Sequence, residues 1–175
     1  MIYFNRFMLS PSKKEEKRLN DFSKGIDFTK QNSIIEAQNR LFENVAIGFL
    51  SSDEIDILKV LDNRKGYCYD RSLVLQKLFL LKGFQIRPVY LFYNKSKPTT
   101  FFDFIKAETH SHNLFEIYLN KRWYVVRTNT KMLKFESLEE YIVNNKIYPS
   151  HSLFIRHLNN RNGRFIFPSF VPDIY

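Results

Sequence analysis

The sequence predicts an α+β fold in which N-terminal helices and a central buried helix starting at Cys68 pack on an antiparallel sheet. Three observations carry this. Ser12 to Glu15, Ser33 to Glu36 and Ser51 to Glu54 each form a Ser-x-x-Glu capping signal ahead of an apolar-periodic stretch. Residues Cys68 to Lys82 then read as a helix with Leu73, Val74, Leu75, Leu78, Phe79, Leu80 and Leu81 on nearly every side, the pattern of a helix buried among other elements. Beyond Gly83 the apolar spacing changes to a period of two, the mark of strands.

Taken in order, the first helix should end near Gly25, the second should span roughly Ile34 to Phe49, and the third about Ser52 to Leu61. Arg64-Lys65-Gly66-Tyr67 forms a short break, and Gly83 stands at the left-handed cap position of the Cys68 helix. Gln85 to Tyr93 reads as a strand, which Pro88 pushes toward an edge or a bulge. Asn94 to Thr109 reads as an ordered loop whose Thr99 to Phe104 core is aromatic enough to serve as a covering over a site. His112 to Leu119 and Trp123 to Asn129 are expected strands, joined as a hairpin through Asn120-Lys121-Arg122. A short helix from Ser137 to Asn144 follows, then strands at Ser152 to Leu158 and Arg164 to Phe167 around an Asn162-Gly163 turn.

With 175 residues, 44% of them hydrophobic and 17% aromatic, the chain is expected to form a single folded domain over 1–175. No apolar run reaches the roughly 18 residues of a membrane span, and Ile2 to Leu9 has neither the basic start nor the cleavage site of a signal peptide. A cytoplasmic location is the resulting expectation. The formal charge of +9 is spread along the chain, and its local basic group, Lys13-Lys14 with Lys17-Arg18, shares a helix with Glu15 and Glu16. A solvated helix face accounts for it, so nucleic acid ranks last among partners.

A single cysteine forms no internal disulfide and no multi-thiolate metal site, which leaves Cys68 as a packed or a reactive thiol. Taken alone, a cysteine is more often packed. Placed at a helix N-terminus it becomes a better nucleophile, because unsatisfied N–H groups and the helix dipole favour the thiolate and could also stabilise an oxyanion. Such a thiolate needs a base. His112 opens the strand pair that follows, and His110 rivals it from the same strand face. His110-Ser111-His112 as a metal chelate lacks a third and fourth ligand, so neither metal nor cofactor is assigned. Trp123 is most simply core, Glu116 and Asp70 surface or supporting groups, and Asp70 in the first helical turn suits the dipole.

Two blocks add to this. Gly66-Tyr67-Cys68-Tyr69-Asp70-Arg71-Ser72-Leu73, followed by Leu78, Gly83 and Arg87, resembles the Cys block of transglutaminase-like domains. His112-Asn113-Leu114-Phe115-Glu116-Ile117-Tyr118 with Trp123-Tyr124-Val125-Val126 resembles the family's His-led strand and its tryptophan strand. The resemblance covers a core of about 64–129, between a helical part at 1–63 and a C-terminal extension at 130–175. Arg64-Lys65-Gly66-Tyr67-Cys68 and Gly83-Phe84 are more weakly similar to arylamine N-acetyltransferases.

The transglutaminase-like resemblance implies a Cys-His-Asp site, but Arg127 stands at the usual aspartate position. A guanidinium accepts no hydrogen bond and disfavours a nearby imidazolium. Asn129, two residues on, offers an amide oxygen that could orient His112 instead. The expected catalytic set is therefore Cys68, His112 and Asn129, with Arg127, Trp123 and Tyr67 as candidate substrate-binding residues. The implied activity is cysteine-dependent acyl transfer or amide hydrolysis on a protein or peptide amide or a small acyl substrate. The alternatives are a binding module that keeps the fold without catalysis and acyl transfer of the N-acetyltransferase type.

Overall fold

The computed structural model describes residues 10–48, 56–93, 110–146 and 164–166. The Ser51–Glu54 capping signal, the Asn94–Thr109 loop and the strand expected at Ser152–Leu158 lie outside them.

Helix α1 runs Lys13–Phe22 and begins as its sequence predicts. Ser12 N–H donates to Glu15 Oε2 at 2.7 Å and Glu15 N–H donates to Ser12 Oγ at 3.4 Å, a complete capping box. After Phe22 the chain turns through Gly25 at φ +86°, a conformation that glycine adopts without strain.

Helix α2 spans Ser33–Asn44, shorter than expected and differently capped. Asn32 holds the N-cap position, Ser33 lies inside the helix with its Oγ buried and unpartnered, and Glu36 pairs with Arg40 at 3.3 Å. Ser33 to Glu36 is thus no capping box: the serine lies one residue too far into the helix. The C-terminal end comes early because Val45 turns extended and Ala46 N–H donates to Arg64 O at 2.9 Å. Ala46–Ile47 forms β1, parallel to β2 at Lys65–Gly66.

Between these strands lies α3, Ile57–Asn63, headed by Asp56, whose carboxylate accepts from Leu58 N–H at 2.8 Å. Arg64 ends it in the left-handed region at φ 52°. Helix α4, Cys68–Leu81, packs against α1, α2, α3 and β2, and every residue from Asp70 to Phe79 is buried. Phe79 meets Phe28 and Phe84 edge to face at 6.4 and 5.7 Å. Among the polar residues on this helix, Gln76 Nε2 donates to Ser72 Oγ at 2.9 Å, and Lys77 pairs with Glu15 of α1. Gly83 at φ +82° closes the helix as expected, with Phe84 N–H donating back to Phe79 O at 2.9 Å.

The remaining elements form a sheet with strand order β5-β4-β3-β6, from β3 (Ile86–Tyr93), β4 (His110–Leu119), β5 (Arg122–Val126) and β6 (Arg164–Ile166). Strands β3, β4 and β5 are antiparallel, and β6 adds a parallel partner to β3. Pro88 lies in β3 immediately before Val89, where the pairing with β6 begins, so its missing N–H falls outside that pairing. Asn120 and Lys121 turn the β4–β5 hairpin at φ 48° and 65°. Val89, Leu91, Leu114 and Val125 pack with Leu138 and Tyr141 of α5, Leu138–Asn144, which Ser137 and Glu140 cap reciprocally.

Two compact units emerge, each with its own packing. The first comprises residues 1–86 and 126–135 and holds α1 to α4; the second comprises 87–125 and 136–175 and holds most of the sheet and α5. No described helix is long and apolar enough to cross a membrane.

Candidate functional site

Cys68 is the first residue of α4 and remains half-buried, with its thiol free of any disulfide. Two features fix that helix start. Asp70 Oδ2 accepts the Tyr67 N–H at 2.8 Å, which ties the turn before the cysteine to the first turn of the helix. Gly66 allows a close approach, since a Cβ there would meet Asp70 Cβ at 2.9 Å and Val60 Cγ1 at 3.2 Å. The glycine two residues before the cysteine is therefore a packing requirement.

Asp70 is buried, not the surface group that sequence allowed. Burial pushes its carboxyl above the usual range, against the lowering effect of the Tyr67 N–H. One residue on, Arg71 is buried with its guanidinium 5.4 Å from the centre of the Phe42 ring. Burial lowers its pKa, and the neighbouring Cys68 opposes that shift.

Arg127, Thr128 and Asn129 belong to the same unit as Cys68, in the 126–135 segment held to α2. Gln38 Nε2 donates to Thr130 O at 2.8 Å, and Met132 N–H donates to the side-chain oxygens of Gln38 and Asn39, each at 2.9 Å. Strand β5 ends at Val126, so Arg127 and Asn129 lie beyond it and do not share a strand face. The alternation expected to continue to Asn129 stops because the chain leaves the sheet to join α2. The Asn129 amide oxygen receives the Thr128 hydroxyl at 3.5 Å, the outer limit of a hydrogen bond.

His112 belongs to the second unit, buried on β4, where alternation gives it the face of Leu114 and Glu116. Glu116 is buried too, contrary to a surface role. Its Oε2 accepts from Arg87 Nε at 2.6 Å, and the Arg87 guanidinium stacks over the Trp123 ring at 4.2 Å. Trp123 also meets Tyr118 at 5.0 Å between ring centres. It is half-buried and lines an open depression with Arg87, Glu116 and Arg122, so it is not plain core. Tyr67 is exposed beside Cys68. Arg71 was not among the residues expected near the thiol, although its place three residues after Cys68, on one helix face, was a usable signal.

No protein-family model matches the chain, and no curated protein sequence does. Solved structures do. A candidate cysteine protease from Cytophaga hutchinsonii superposes with a TM-score of 0.52 at 16% identity, covering 74% of this chain and 43% of its own. A TGase superposes with a TM-score of 0.50 at 8% identity, covering 91% of this chain and 46% of its own. The chain thus spans less than half the length of either. Helices and an antiparallel sheet in this arrangement, with both superpositions, establish that the chain carries a transglutaminase-like fold.

Proposed function

We propose that the protein performs cysteine-dependent acyl transfer or amide hydrolysis. The observation that carries this reading is the placement of the lone cysteine as the first residue of a 14-residue helix. It is supported by the shared fold of a candidate cysteine protease and a TGase.

In this mechanism the Cys68 thiolate attacks a carbonyl carbon, and the backbone donors at the helix start stabilise the oxyanion. The intermediate collapses to a thioester as the leaving amine takes a proton from His112. Water or an acceptor amine then attacks the thioester, His112 removes the proton of that nucleophile, and Cys68 leaves again as thiolate. Asn129 orients His112, while Arg127, Trp123 and Tyr67 contact the substrate. Its class is a protein or peptide amide or a small acyl donor.

Kinetics over a panel of amides and thioesters test this. Cys68→Ala abolishes turnover and His112→Ala lowers it by roughly 100-fold or more, the usual scale of general acid–base catalysis. Unchanged turnover in both variants removes the proposal. A second reading, a binding module without turnover, is favoured by Arg127 at the position where the family places its aspartate. Slow alkylation of Cys68, insensitive to the His112→Ala change, identifies that case.

A further inference from the structure

Arg71, one turn into α4, is 1% exposed, and its Nε and Nη2 have no hydrogen-bond partner. A guanidinium stays charged in proteins and carries five donors, so burying it without an acceptor is costly unless a charge of opposite sign lies near. The surroundings narrow the choice. Phe42 on α2 offers a ring face, which compensates a cation only in part. The carboxylate of Asp70 accepts the Tyr67 N–H and makes no ion pair with Arg71, the Ser72 hydroxyl accepts from Gln76, and Lys77 is paired with Glu15 of α1. Among the described residues, Cys68 is the one ionisable group shown to interact electrostatically with Arg71. The two are three residues apart, on one face of the helix.

We propose that Arg71 is a positioning residue that serves as the buried counter-ion of the Cys68 thiolate. Its charge cannot leave, and no other anion among the described residues is paired with it, so it favours the deprotonated sulfur at the helix start. Substrate need not touch it. This rests on Cys68 being the reactive thiol, but not on any turnover by the protein.

The test is the rate of Cys68 alkylation by iodoacetamide at pH 6.5, where a thiolate displaces iodide and a thiol hardly reacts. Wild type, Arg71→Met and Arg71→Lys are compared after circular dichroism has confirmed their folds. Arg71→Met slows alkylation by about tenfold or more, the effect of one pH unit in thiolate population, while Arg71→Lys keeps most of the rate. A Met variant within twofold of wild type, or a Lys variant as slow as Met, overturns the proposal.

Should Arg71→Met not fold, Cys68→Asp and Cys68→Asn are compared with Arg71 intact. A carboxylate at position 68 then melts more than about 4 °C above the amide, beyond what the helix dipole alone supplies in a chain of this size. A smaller difference overturns the proposal. Slowed alkylation in Arg71→Met alongside unchanged turnover in Cys68→Ala and His112→Ala leaves the counter-ion standing and removes the catalytic reading.

Discussion

The starts of α1 and α4 are built on the same plan and serve different ends. In both, a carboxylate three residues past the N-cap accepts the N-cap N–H: Glu15 from Ser12 at 2.7 Å, Asp70 from Tyr67 at 2.8 Å. At α1 a serine hydroxyl completes the box, and Glu15 also pairs with Lys77. Burial would push Glu15 up, but the Lys77 hydrogen bond, the Ser12 contacts and the lysine charge together hold it below the usual carboxylate range. At α4 the N-cap is a tyrosine with no Cβ hydroxyl to answer the helix, and Asp70 is pushed up by burial with only one backbone N–H against it. One start is closed for stability. The other keeps its first turn for a thiol and a buried arginine.

That contrast has measurable edges. The largest effect is expected for Glu15→Gln, which leaves Lys77 nearly buried beside a neutral partner. The loss should be on the order of 2–3 kcal/mol in urea unfolding, below the full cost of a buried broken pair because both side chains retain some exposure. Since Glu15 titrates below its unfolded value, wild type holds this advantage above about pH 4.5 and loses it as the pH falls through the lowered value. A ΔΔG that stays constant from pH 7 to pH 3 would show that the ion pair is not its source.

Gly66→Ala comes next. The added methyl overlaps Asp70 and Val60, so the helix start must shift, at about 1–2 kcal/mol. Alkylation of Cys68 should change with it, whereas Gly25→Ala, where a Cβ meets open space, leaves alkylation untouched despite its strained φ. Equal alkylation in both variants would detach the glycine from the site.

The smallest effect, under about 1 kcal/mol, belongs to Asp70→Asn, and its sign opposes that of Glu15. With the folded pKa above the unfolded one, the stability contributed by Asp70 is fully present below about pH 3.8 and is lost as the pH rises through the raised value. Wild type should therefore lose ground to the Asn variant on going from pH 3 to pH 7, as measured by thermal unfolding of both. The opposite trend would mean that the carboxylate is stabilised in the fold.

Much of this was legible in local sequence. The Ser12 box, the Cys68 start, the Gly83 stop and the Ser137 helix are each specified by residues within one turn, and each formed where expected. What sequence did not disclose depends on partners distant along the chain. Helix α2 stops at Asn44 because Ala46 pairs with Arg64, and β5 stops at Val126 because the next residues are drawn to Gln38 and Asn39. The burial of Glu116 depends on Arg87, 29 residues away, and strand alternation alone cannot reveal it. Arg71 was hidden by its chemistry: arginine is ordinarily read as surface, and only a view of its missing acceptors marks it out.

The short parallel pairing of β1 with β2 has a practical use. The amides of Ala46 and Gly48 donate to the carbonyls of Arg64 and Gly66, at 2.9 and 3.3 Å. Neither residue belongs to the helix that begins at Cys68, yet both bonds break if the segment just before that helix lifts away. Deuterium uptake at these two amides is therefore a gauge of local opening next to the thiol, readable without labelling the cysteine.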